Sequence, residues 1–126
     1  MNVPLFEAIA DLLIPTGADM PSASEVSVGT TGLMQVLKFR PELKPVVEGI
    51  LATCEGKSAQ QALDSLDPTG FAALAEIVAS AYFMNEKVRE KLHYHGQDAK
   101  TIIPEQIEPA LLQPVVERGA IYRDAR

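Results

Sequence analysis

Apolar residues recur at helical spacing along most of the chain. In the first segment, five of them follow the i, i+3, i+4, i+7, i+8 order that defines one face of an α-helix. They are Leu5, Ala8, Ile9, Leu12 and Leu13. We expect a helix over residues 3–14 with this face buried. Asn2 is a suitable N-cap, and Pro15 ends the helix.

A second helix is predicted over residues 23–39. Ser22 and Glu25 have the spacing of a capping box, in which each side chain accepts a hydrogen bond from the other residue's backbone N–H. Glycines and paired threonines in residues 28–32 weaken the helix. We therefore expect a bend or a late start within it.

Helix-start residues predict further helices over residues 41–55, 58–64 and 68–84. Asp67 followed by Pro68 is the strongest of these signals, because the carboxylate caps the helix and the missing proline N–H has no partner to lose at the first turn. Residues 68–84 are apolar nearly all round the helix. This composition predicts a helix at the centre of a bundle.

The helical period fails toward the C-terminus. Asn85 can cap a segment that runs through Leu92, but residues 93–104 show no period. In the apolar segment that follows, Pro109 and Pro114 are expected to break the chain into short pieces.

These segments predict an all-α fold, namely a single small helical domain over residues 1–126 with about five helices. The C-terminal arm, from about residue 93 to 126, is expected to be irregular and broken by prolines. A length of 126 residues and a hydrophobic fraction of 47% fit one globular domain. No apolar window reaches the length of about 20 residues that a membrane-spanning helix needs, so we predict no membrane span.

The charge balance changes the expected partners. The chain has 11 Lys and Arg against 17 Asp and Glu, a net charge of −6. This balance argues against nucleic acid or an anionic membrane as the main partner. No Lys or Arg precedes Lys38, so a basic signal region and a twin-arginine motif are both missing. We expect a cytoplasmic protein, or a periplasmic one if a signal was removed or is supplied by a partner.

The candidate metal ligands are His93 and His95, with Cys54 as the single cysteine. Two histidines at i and i+2 can share a metal only in an extended segment, and a structural zinc site wants four ligands. Cys54 lies on the apolar side of its helix, which favours a small buried side chain over a nucleophile. We predict no catalytic, cofactor-binding or metal-binding residue in this chain.

Tyrosines and arginines are concentrated in the C-terminal third of the chain. Both types are enriched in protein interfaces, because each combines apolar area with directional hydrogen-bond donors. Two interpretations remain open: these residues contact a partner, or they attach the arm to its own helices. They are Tyr82, Arg89, Tyr94, Arg118, Tyr122 and Arg123.

Four segments resemble the small (gamma) subunit of gluconate 2-dehydrogenase, the subunit 3 family. None of the four is a catalytic signature, but together they span most of the chain. They are residues 8–15 (AIADLLIP), 22–26 (SASEV), 82–89 (YFMNEKVR) and 114–123 (PVVERGAIYR).

The resemblance implies a non-catalytic subunit that accompanies a large FAD-dependent oxidoreductase of the glucose–methanol–choline (GMC) type. The partner would carry the FAD and oxidise sugars, sugar acids or other alcohols, while this chain would stabilise it in a hetero-oligomer. Many family members carry a twin-arginine signal, which this sequence lacks. The expected interface lies in residues 82–97 and the arm. Its candidate residues are Tyr82, Asn85, Arg89, Tyr94, Gln97, Arg118, Tyr122 and Arg123.

Two other functions remain open. The chain could be a small metal-binding protein or enzyme that uses His93 and His95. It could also be a helical scaffold that associates with itself through the arm.

Overall fold

The computed structural model describes residues 1–99, 101, 103 and 108–121. The chain divides into two compact units, Met1–His95 and Gly96–Arg126. The boundary falls close to the start predicted for the arm. The predicted interface residues Tyr122 and Arg123 lie outside the described residues.

The fold is all-α, as predicted, and the described residues form seven α-helices and no strand. None of these helices is both long and apolar enough to cross a bilayer. The count exceeds the roughly five expected, and the helix that was not predicted lies in the proline-containing arm. The helices are α1 (Val3–Leu13), α2 (Leu33–Phe39), α3 (Leu43–Thr53), α4 (Ala59–Asp64), α5 (Pro68–Phe83), α6 (Glu86–Lys91) and α7 (Pro109–Arg118).

The predicted helix caps are confirmed. The Asn2 side chain accepts a hydrogen bond from the Leu5 backbone N–H at the start of α1. Asp67 accepts one from the Gly70 N–H at 2.9 Å, with Pro68 in the first position of α5. Each of these bonds satisfies one backbone donor that the helix itself leaves unpaired.

The buried face of α1 differs from the prediction. Phe6, Ile9 and Ala10 are fully buried, whereas Leu12 is exposed. Ala8, also predicted to be buried, is exposed. The helix is rotated toward Phe6 because this side chain removes more apolar area from water than Leu12 would.

The predicted bend before α2 is confirmed. A 3₁₀ turn, Ser24–Val26, is followed by a π-helical turn, Val28–Gly32, and α2 starts only at Leu33. The π-helical turn packs against α1 and α5. A Cβ on Gly32 would lie 3.0 Å from the Ala81 Cβ and 3.3 Å from the Ala81 carbonyl oxygen. Glycine therefore permits a backbone approach that a side chain would prevent.

Helix α5 lies at the centre of the first unit, as its composition predicts. It contacts α1, α2, α3, α6 and the π-helical turn. Its buried residues are Leu74, Ile77, Val78, Ala81 and Tyr82.

Helix α7 contradicts the prediction that Pro109 and Pro114 break the arm into short pieces. Pro109 stands at the start of the helix, where its missing N–H would have no helical partner. Pro114 lies inside the helix, where it removes the one hydrogen bond that its nitrogen would donate to the Ala110 carbonyl. The helix continues past it to Arg118. No residue of α7 is buried.

We predict opposite effects for alanine at two helical glycines. Gly32→Ala should lower the free energy of unfolding by about 1–3 kcal/mol, because the new methyl group overpacks against Ala81. Gly49→Ala in α3 meets no atom within 4 Å and should raise that free energy by about 0.5–1 kcal/mol. Urea unfolding of the two variants measures both effects. Equal effects at the two sites would contradict the close approach at Gly32.

Candidate protein interface

Two of the predicted interface residues bind a segment of their own unit. The Tyr82 hydroxyl donates a hydrogen bond to the Pro21 carbonyl at 2.7 Å, and the Asn85 amide nitrogen donates one to the Val26 carbonyl at 3.1 Å. Tyr82 is 3% exposed, so its side chain offers almost no area to a partner. Burial, with a smaller effect from the Glu25 carboxylate, raises the pKa of Tyr82 above its ordinary value.

The same segment is closed by the predicted capping box. The Ser22 N–H donates to a carboxylate oxygen of Glu25 at 2.6 Å, and the Glu25 N–H donates to the Ser22 hydroxyl at 3.4 Å. The first of these bonds is the main reason why the pKa of Glu25 lies below its ordinary value. Tyr82 and Asn85 therefore hold residues 21–27 against the end of α5 and the start of α6, while Ser22 and Glu25 close the segment on itself.

Arg89 and Tyr94 belong to an exposed surface on the first unit. This surface contains a shallow depression of about 200 Å³, which is smaller than typical ligand pockets. The Tyr94 N–H donates to the Arg89 carbonyl at 2.9 Å, which fixes the chain as it leaves α6. Among the described residues, Arg89 makes no ion pair within 4.0 Å. The α6 surface comprises Glu86, Arg89, Glu90, Tyr94 and His95.

The other candidates lie in the second unit. Gln97 and Arg118 are exposed, and Arg118 stands in the last turn of α7. The structure thus groups Arg89 with Tyr94, and it separates both from the buried Tyr82.

The candidate metal ligands are not gathered at one place. His93 and His95 are exposed, and His93 has a backbone φ of +54°. Cys54 is fully buried, as predicted, and its Sγ lies 3.9 Å from the Ala62 carbonyl oxygen. Across residues 1–99, 101, 103 and 108–121, no three His, Cys, Asp or Glu side chains are placed to hold one metal ion.

A row of apolar residues on α7 is the feature that sequence reasoning missed. Four large side chains, each between 51% and 76% exposed, share one side of this helix. Gln113 and Glu117 lie on the opposite side, where the Gln113 amide donates to the Glu117 carboxylate at 2.9 Å. The i, i+1, i+4, i+5 spacing was visible in the sequence, but the prolines argued against a helix. The α7 stripe comprises Leu111, Leu112, Val115 and Val116.

No family model, curated protein or solved structure matches this chain. The resemblance to the gluconate 2-dehydrogenase small subunit therefore stays an expectation from the sequence.

Removal of the Tyr82 hydroxyl should destabilise the first unit. Tyr82→Phe leaves the Pro21 carbonyl without its donor, so we expect a loss of about 0.5–1.5 kcal/mol in the free energy of unfolding. Tyr94→Phe is the matched control, because this tyrosine is exposed, and it should change stability by less than about 0.5 kcal/mol. Chemical denaturation measures both. Equal losses would show that the Tyr82 hydrogen bond contributes nothing specific.

The charge of Glu25 should make stability depend on pH. Its pKa is lower in the folded chain than the ordinary value of 4.5, so its stabilising effect is complete above pH 4.5. The effect is lost as the pH falls through the folded value. Wild type should therefore exceed Glu25→Gln in stability at neutral pH, and the difference should shrink below pH 4.5. A difference that stays constant between neutral and acid pH would contradict this role.

Proposed function

We propose that this chain is a non-catalytic small subunit that binds and stabilises a large FAD-dependent dehydrogenase of the GMC type. The large subunit would hold the flavin and oxidise a sugar, a sugar acid or another alcohol. This chain would contribute binding energy and no reacting group. The family resemblance supports the identity of the partner, and the exposed α7 stripe supports a binding role.

The α7 stripe is the single observation that carries the binding role. Exposed apolar residues are ordinary when scattered, but a contiguous apolar row on one helix is typical of an interaction site. Burial of each such side chain is worth about 1.5–3 kcal/mol before the costs of association are subtracted. Four adjacent side chains can therefore supply a substantial part of the free energy of a complex.

The α6 surface supplies the second type of contact that interfaces use. Arg89 and Tyr94 offer directional donors and aromatic area, which are frequent in the energetic centre of interfaces. Carboxylates of Glu86 and Glu90 stand beside them. A partner would thus meet polar and charged groups on the first unit and an apolar helix face on the second.

Binding would stabilise the large subunit by mass action. A ligand that binds only the folded state stabilises it by about 2.7 kcal/mol when its free concentration is 100 times its Kd. A small subunit can in this way keep a larger one folded without any chemistry of its own. This is the chaperone-like effect that we propose.

The test is recovery and reconstitution of the flavoprotein. Tagged 126-residue chain, expressed in its source cells, should co-purify with a large protein that shows flavin absorbance. That flavoprotein, expressed with and without this chain, should be more soluble and melt at a higher temperature in its presence. The control is a chain that carries Arg89→Ala, Tyr94→Ala, Leu112→Ala and Val115→Ala together. Recovery of no flavoprotein, together with no effect on its solubility, would refute the proposal.

A further inference from the structure

We draw no further inference here: the strongest candidate, the apolar groove between α3 and the start of α5 that Val46, Ile50 and Leu66 line, carries nothing, because the described part of the structure does not show what covers it.

Discussion

The first unit depends on the burial of apolar side chains around α5, and its other described contacts are built on this core. Among the described residues, the buried hydrophobic side chains lie between Phe6 and Val88, gathered around α5. Polar groups then fix the remaining backbone of that unit, as Tyr82 does at Pro21. Among the described residues after Val88, no side chain is buried.

Their position relative to this core divides the predicted interface residues of the first unit into two groups. Tyr82 and Asn85 hold residues 21–27, so their side chains stabilise the first unit itself. Arg89 and Tyr94 remain on the outside, next to acidic neighbours. Composition alone could not separate these groups, because a tyrosine or an asparagine serves equally well as an internal tie or as an external contact.

The features that the sequence predicted well are those that depend on neighbouring residues in the chain. The caps at Asn2 and Asp67, and the late start of α2, depend on hydrogen bonds and backbone conformations within a few residues. Two expectations failed because each depended on which of two alternative arrangements has the lower free energy. Phe6, and not Leu12, lies on the buried face of α1, and α7 remains helical through Pro114. Neither outcome can be decided from periodicity without knowing how much area each choice buries or which backbone bonds survive.

Hydrogen exchange tests the proposed binding role of α7 most directly. In the free chain, the amides of α7 should exchange quickly, since a short helix with no buried residue opens easily. In the complex with the flavoprotein, the same amides should become strongly protected, with α5 already protected in both states. A complex that forms while α7 exchanges as fast as in the free chain would contradict the account.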